Sequence, residues 1–174
     1  KSIIEQNMNL DLKAAYERSM ELAKAHTPIS VGVLKHLAAL VMRRTGGEIN
    51  GFGGSFDSSR GDLRLVNVTA GAGGKTYMNY LKVPQKLEDF CKEINERRKE
   101  LLESPDIYEQ YKLSFYAHLK LVTIHPWVDG NGRMSRLIMN HLQYEFGLVP
   151  SKVVKDDKAE YIKALKTSQE EESE

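Results

Sequence analysis

A dense group of residues that can do chemistry lies between His125 and Arg136. The stretch reads His-Pro-Trp-Val-Asp-Gly-Asn-Gly-Arg-Met-Ser-Arg. His125 can accept a proton at neutral pH, because a free imidazole has a pKa of about 6.5. Asp129 offers the hard oxygen ligands that Mg²⁺ takes when phosphates and water complete its coordination. A lone histidine or an Asp-Gly turn is usually structural, but these residues together indicate a site for a nucleotide triphosphate.

The second half of this stretch has the features of an anion-binding site. Gly130 and Gly132 flank Asn131, and glycine lets successive backbone N–H groups converge on one anion. Apolar residues at three- and four-residue spacings predict a helix from about Gly132, and a helix N-terminus favours phosphate. Arg133 and Arg136 share one face of its first turns, where a basic side chain opposes the helix dipole. Two guanidinium groups in that position indicate a bound polyphosphate.

Segment 125–136 resembles the signature of the Fic (Fido) family, which reads His-x-Phe-x-(Asp/Glu)-Gly-Asn-Gly-Arg-x-x-Arg. Trp127 replaces the usual phenylalanine, an aromatic exchange at a position expected to anchor the loop in the core. Most characterised members are protein adenylyltransferases, which transfer AMP from ATP to a hydroxyl side chain of a target protein and release pyrophosphate. The resemblance therefore implies an enzyme that uses ATP, Mg²⁺ and a protein substrate with a Ser, Thr or Tyr hydroxyl.

The resemblance also implies a role for each matching residue. His125 would be the general base for the target hydroxyl, and Asp129 would hold Mg²⁺ between the α- and β-phosphates. Arg133 would contact the β-phosphate region and Arg136 the γ-phosphate, beside the backbone of the glycine turn and the Asn131 side chain. The expected phosphate-binding residues are Gly130, Asn131, Gly132, Arg133 and Arg136.

Region 45–82 resembles the loop and β-hairpin flap that covers the active site in this family. We expect a short strand at Leu63–Val68 within it, followed by a glycine-rich turn. The flap aligns an extended segment of the target beside the site, as in strand addition. An ordinary surface hairpin is the alternative. The residues expected to dock the target are Thr76, Tyr77, Met78 and Asn79.

Residues 1–12 resemble the family's inhibitory helix, (Ser/Thr)-x-x-x-Glu-(Gly/Asn), although Lys and Gln occupy two of its motif positions. Glu5 would pair with Arg136 and block the productive pose of the γ-phosphate, because a carboxylate and a triphosphate compete for one guanidinium group. An exposed glutamate on a terminal helix is the alternative. A weaker second candidate, Thr167–Glu171, lies in an acidic end that is typical of a solvated tail.

The rest of the sequence predicts the elements that must position this site. A length of 174 residues fits one domain with a sizeable core. We expect a mainly α, Fic-like helical bundle over residues 1–174, with the small β-hairpin flap over the active site. Periodicity and breaks predict further helices at about Leu10–Ala25, Ser30–Arg43, Pro84–Glu103, Tyr108–Ile124 and Lys158–Thr167.

Composition excludes several other classes of protein. A net charge of +1 argues against nucleic-acid binding. The one cysteine, Cys91, rules out an internal disulfide, disfavours a zinc cluster and fits a buried thiol. No run approaches the roughly 20 apolar residues of a membrane span, and no signal peptide is visible, so we expect no membrane association and a cytoplasmic location by default. The chain begins at Lys1 rather than Met, which fits a fragment of a longer protein.

Three other functions remain open from the sequence. The same site could remove AMP from a modified protein, with Glu5 positioning water. Relatives with this fold transfer phosphate or phosphocholine, although the intact Asn131, Arg133 and Arg136 favour polyphosphate binding. A nucleotide-binding interaction domain without turnover is the non-enzymatic reading, and His125 argues against it because pure binding needs no base.

Overall fold

The computed structural model describes residues 2–152. Within that range the chain forms five α-helices and one two-stranded antiparallel sheet. The predicted mainly α architecture is therefore confirmed, while the helix expected at Lys158–Thr167 and the acidic segment Thr167–Glu171 lie outside the described residues. The elements are α1 (Ile3–Lys24), α2 (Val31–Val41), β1 (Glu48–Gly51), β2 (Gly54–Asp57), α3 (Val83–Glu103), α4 (Ile107–Ile124) and α5 (Asn131–Glu145).

Side-chain caps explain where several helices begin. The hydroxyl oxygen of Ser30 accepts a hydrogen bond from the N–H of Val33 before α2, and the Asp106 carboxylate caps α4 in the same way. Such caps satisfy backbone donors that have no partner inside the helix. α4 ends at the boundary with His125, the residue before Pro126, as the sequence predicts.

The helix that follows the motif is central to the packing. α5 contacts α1, α2 and α4, and α3 packs against α4. Tyr16 and Ser19 of α1 hydrogen-bond to Asn140 and His141 of α5, respectively, so the two helices run in roughly the same direction. The core between the helices is closely packed with aliphatic and aromatic side chains: Leu34, Leu37, Leu87, Phe90, Leu113, Leu121, Leu137 and Leu142.

Two expectations from composition can be compared directly with the structure. Cys91 is free and buried in α3, as predicted, and burial raises the pKa of its thiol to about 12. A thiol with that pKa stays protonated and unreactive at neutral pH. None of the helices described between residues 2 and 152 is long and apolar enough to span a bilayer.

The prediction of a strand at Leu63–Val68 is wrong, because this segment has irregular backbone. In an alternation of leucines with one charged residue, the leucines are normally buried and the charged residue is exposed. The structure inverts that pattern: Arg64 is 1% exposed, and the flanking leucines are only partly buried. A buried guanidinium needs several carbonyl acceptors, and the Arg64 N–H itself donates to the carbonyl of Pro126 instead of to a neighbouring strand.

Two separate hairpins provide the β structure of this region. β1 and β2 pair in antiparallel register. The second hairpin spans residues 68–77 and is called the flap hairpin below. In it Thr69 pairs with Thr76, and the N–H of Tyr77 donates to the carbonyl of Val68 at 3.0 Å. The flap hairpin therefore lies within the predicted flap region of residues 45–82.

Candidate active site

His125 caps the C-terminal end of α4 in the left-handed backbone region, with φ 52° and ψ 61°. For a residue other than glycine this conformation costs about 1–2 kcal/mol, so the surrounding structure must hold it. The turn brings the imidazole to the wall of a cavity of about 240 Å³. The other lining residues all come from the predicted motif: Val128, Asp129, Gly130, Asn131, Gly132, Arg133 and Arg136.

Arg64 holds the left-handed turn in place. Its Nε donates to the carbonyl oxygen of His125 at 2.7 Å, and its Nη2 lies 3.5 Å from the carbonyl oxygen of Ile124. Its Nη1 donates to Val66 at 2.9 Å, and Nη2 also donates to Met78 at 2.6 Å. One buried side chain thus joins the end of α4 to the chain on both sides of the flap hairpin.

The flap hairpin also contacts the imidazole directly. The Tyr77 ring stacks on His125 with 3.7 Å between ring centroids and 10° between planes. Burial lowers the pKa of His125 to about 4, and the positive charge of Arg64 acts in the same direction. The imidazole is therefore neutral at neutral pH and can accept a proton. A hydrogen bond to the Val122 backbone acts on the pKa of His125 in the opposite direction.

Trp127 and Asn131 fix the loop between α4 and α5. Trp127 is 1% exposed and donates its Nε1–H to the carbonyl of Gly61 at 3.0 Å, which confirms the predicted anchoring role. The Asn131 side chain accepts from the Trp127 N–H and donates to the Trp127 carbonyl. Gly61 has φ 78°, and a Cβ there would lie 1.9 Å from the Lys35 carbonyl oxygen, so this anchor requires glycine.

The N-terminus of α5 presents unpaired backbone donors to the cavity. The N–H of Met134 makes the first helical hydrogen bond, to the carbonyl of Gly130 at 2.9 Å. The N–H groups of residues 131–133 make no hydrogen bond to any described residue, as expected for the first turn of a helix. Gly130 has φ 82° and lies in the left-handed region. These donors and the positive end of the helix dipole form a site suited to phosphate.

Charged side chains surround these donors. The Asp129 carboxylate is 69% exposed, with one oxygen accepting from the Gly130 N–H at 2.8 Å and lying 3.6 Å from Nη2 of Arg133. The Arg133 side chain is 13% exposed, and its Nη1 has no partner among the described residues. Arg136 is exposed at the cavity wall. A Cβ at Gly132 would come within 3.2 Å of the Arg136 guanidinium, so glycine leaves room for it.

The residues expected to dock a target have unequal surroundings. Thr76 is exposed in the flap hairpin, and Tyr77 covers His125. The carbonyl of Met78 accepts from Arg64, and the Asn79 side chain accepts from a nearby backbone N–H to cap a short 3₁₀ turn. Of the four, Tyr77 is the one whose side chain contacts the candidate base.

Glu5 does not contact the cavity. It lies in the first turn of α1, where Ser2 Oγ accepts from its N–H at 3.1 Å, and its side chain is exposed. Among the described residues Glu5 forms no ion pair with Arg136 and does not line the cavity.

Sequence reasoning missed two residues that shape the site. Arg64 lies about 60 positions before the residues it holds, and its only local signal is a charged residue within an apolar segment. Met42 is 2% exposed, and its Sδ lies 3.6 Å from Nη2 of Arg133. A Cβ at Gly130 would approach the same sulfur to 2.9 Å. Nothing in the local sequence around Met42 points to this contact.

Known proteins match this chain over the segment that contains the cavity-lining residues. A model of the Fic/DOC family matches residues 28–143, about two thirds of the chain and all of the cavity-lining motif. The "Protein adenylyltransferase Fic" of Drosophila persimilis is 49% identical over 55 residues, which are 32% of this chain and 11% of that protein. The protein of the same name from Nematostella vectensis is 37% identical over 84 residues, 48% of this chain and 20% of that protein. The matched segments are thus a minor part of each relative.

A solved structure supports the fold over a longer range. A Fic domain-containing signaling protein from Bacteroides thetaiotaomicron superposes with a TM-score of 0.73. The match covers 95% of this chain and 58% of that chain, at 17% sequence identity. At that identity the similarity concerns the fold alone.

Proposed function

The chain belongs to the Fic/DOC family, and on that premise we propose that it transfers AMP from ATP to a hydroxyl side chain of a protein. The observation that carries the proposal is the pairing of a neutral, partly buried His125 with an anion site on the same cavity. A base and a polyphosphate site are the two requirements of nucleotidyl transfer to a hydroxyl group. Relatives named protein adenylyltransferase support the same chemistry.

Each cavity group has a defined task in this reaction. The target hydroxyl oxygen forms a bond to the α-phosphorus of ATP while its proton passes to His125. The bond from the α-phosphorus to the bridging oxygen breaks, and pyrophosphate leaves. The N–H groups of residues 131–133, with Arg133 and Arg136, hold the phosphates and stabilise the charge that develops on them. The catalytic contribution of the protein is chiefly positioning and electrostatics, which suits a rigid loop anchored by Trp127.

Asp129 fits a Mg²⁺ ion that is bound chiefly by substrate. Its carboxylate is largely exposed at the cavity, and its second oxygen accepts no hydrogen bond from the described residues. No group of three or more His, Cys, Asp or Glu side chains between residues 2 and 152 could hold a metal by itself. Mg²⁺ commonly takes one or two carboxylates and completes its shell with phosphates and water. When bound, the ion would neutralise charge on the phosphates.

We propose that Glu5 restrains ATP binding, although its side chain does not contact Arg136 in this structure. α1 and α5 run in the same direction, with Tyr16 beside Asn140. At 1.5 Å per residue, Glu5 lies about 16 Å from Tyr16 and Arg136 about 6 Å from Asn140, both toward the cavity end of the bundle. We infer that the Glu5 carboxylate competes with the γ-phosphate for the Arg136 guanidinium.

Labelling with α-³²P-ATP and γ-³²P-ATP in parallel tests the proposal. Wild type, Glu5→Gly and His125→Ala are incubated with Mg²⁺ and cell lysate. Label from the α-position alone, strongest in Glu5→Gly and absent in His125→Ala, is the expected result. Label from the γ-position would identify phosphate transfer instead. Absence of label in every arm, with ATP binding retained, would contradict AMP transfer and favour AMP removal or a binding role.

A further inference from the structure

We propose that Arg64 is a positioning residue that fixes His125 and the flap hairpin in one arrangement for AMP transfer. The inference rests on the proposed function for its kinetic consequence, but its structural part can be tested without it. Arg64 touches neither the cavity nor the site of ATP, since it is 1% exposed and absent from the cavity wall. It can act only through the groups that it holds.

The contacts of Arg64 converge from two parts of the chain. The carbonyls of Ile124 and His125 belong to the end of α4, and those of Val66 and Met78 flank the flap hairpin. The Arg64 N–H adds a bond to the Pro126 carbonyl at 3.0 Å. A planar guanidinium has five donors in a fixed geometry, so these bonds set a distance and an angle between the two parts.

These hydrogen bonds of Arg64 determine where the imidazole of His125 lies. The left-handed backbone of His125 is unfavourable by itself, and Arg64 Nε binds the carbonyl of that same residue. Tyr77 directly precedes Met78, whose carbonyl Arg64 also binds, and its ring stacks on the imidazole at 3.7 Å. Loss of the Arg64 side chain would therefore release both the backbone of His125 and the Tyr77 ring that stacks on its imidazole.

The charge of Arg64 is costly for a purely structural residue. It forms no ion pair with a carboxylate in the described part of the chain, and backbone carbonyls alone accept its hydrogen bonds. A buried cation without a counter-ion is expensive. The charged and ring groups that act on the imidazole are Arg64, Asp129 and Tyr77. Burial is the main cause of the low pKa of His125, and the Arg64 cation acts in the same direction by disfavouring the imidazolium form.

Arg98 provides a matched control. It is also a buried arginine, 6% exposed, and it ties α3 to Glu145 and to the carbonyl of His26. None of its partners lines the candidate cavity. Its replacement by lysine should lower the melting temperature without moving the base.

The experiment compares Arg64→Gln, Arg64→Lys and Arg98→Lys, each introduced into the full chain that already carries Glu5→Gly (the parent chain). For each variant we measure the melting temperature, the apparent kcat and KM for ATP from α-label incorporation, and the NMR shifts of the His125 ring protons. Tyr77→Leu supplies the His125 shifts without a stacked ring. For Arg64→Gln we expect kcat to fall about 100-fold with KM for ATP changed by less than about threefold. Arg64→Lys should restore part of kcat, since an ammonium can satisfy some but not all of the carbonyls.

The NMR shifts test whether Arg64 holds His125 against Tyr77, and they do so even if the wild-type chain transfers no AMP. Stacking on Tyr77 shifts the His125 ring protons upfield, and this shift should disappear in Arg64→Gln while persisting in Arg98→Lys. If Arg64→Gln does not fold, a partial loss in Arg64→Lys is the expected substitute. An unchanged shift in the Arg64 variants, or equal kcat losses in Arg64→Lys and Arg98→Lys, would overturn the proposal. If the parent chain incorporates no α-label while the NMR shifts behave as expected, the result contradicts the proposed function and leaves the structural role of Arg64 intact.

Discussion

The Tyr77 ring lies against the imidazole of His125, with 3.7 Å between centroids and nearly parallel planes. The flap hairpin therefore contacts the candidate base itself. A target segment that docks on the flap would be aligned directly with the group that must take its proton. The position of the flap and the placement of the base are consequently linked through this ring contact as well as through Arg64.

Replacing Tyr77 by leucine should lower AMP transfer by about tenfold, because an aromatic pair contributes about 0.5–1.5 kcal/mol beyond its buried area. Tyr77→Phe retains the ring and should keep most of the activity. The rate of α-label incorporation checks both variants at matched protein concentration. Equal losses in the leucine and phenylalanine variants would implicate the hydroxyl group rather than the stack.

His125→Ala should abolish transfer while ATP binding is retained. Removal of a general base commonly costs about 10²–10⁴-fold in rate, whereas the phosphate-binding groups belong to α5 and its preceding loop. Calorimetric titration with ATP and Mg²⁺ measures the binding, and α-label incorporation measures the reaction. Near-normal transfer by the alanine variant would exclude His125 as the base.

If Glu5 restrains ATP binding as proposed, Glu5→Gly should raise both ATP affinity and AMP transfer, because the carboxylate no longer competes with the γ-phosphate for Arg136. Glu5→Gln should have the same effect with less change in helix propensity. Glu17→Gln is the matched control, since Glu17 is exposed on the same helix just over three turns further along. No gain in either property for both Glu5 variants would remove the inhibitory role.

Acid should destabilise the protein between about pH 6.5 and pH 4 through buried histidines. Burial lowers the pKa of His141 to about 4, below the unfolded value of about 6.5. Within that window the unfolded chain binds a proton that the folded chain does not, so stability falls as pH decreases. His141 alone should contribute a loss of about 2 kcal/mol between pH 7 and pH 5.

Urea unfolding at the two pH values measures this loss, and His141→Gln should make it smaller. Burial also lowers the pKa of His118 and of His125, so a smaller loss in the same direction should remain in the variant. An identical pH dependence in wild type and His141→Gln would show that His141 is protonated in the folded protein.

Local sequence was sufficient for much of the site. Pro126 ends α4 at His125, the glycine turn precedes α5, and the cavity-lining residues are contiguous in the chain. Helix starts at Ser30 and Asp106 follow from hydrogen bonds between residues three positions apart. These features depend on backbone conformation and short-range contacts, which sequence pattern encodes directly.

The flap region shows where such reasoning fails. Leucines around Arg64 favoured a strand, because a charged residue is normally placed on the solvent side of an apolar alternation. The structure buries Arg64 instead, since the end of α4 supplies the carbonyls that satisfy it. No pattern within the 63–68 segment contains that information.

The sequence by itself determined the chemistry of the site: which groups exist, and that one loop and helix start bring His125, Asp129 and Arg136 together. Tertiary structure alone decided what holds the base in place. Arg64 and Tyr77 reach His125 from 61 and 48 positions away, and contacts at that separation depend on how the helices pack. The physical reason is that a local pattern specifies which face is buried, whereas a partner from a distant segment is selected only when the whole core has formed.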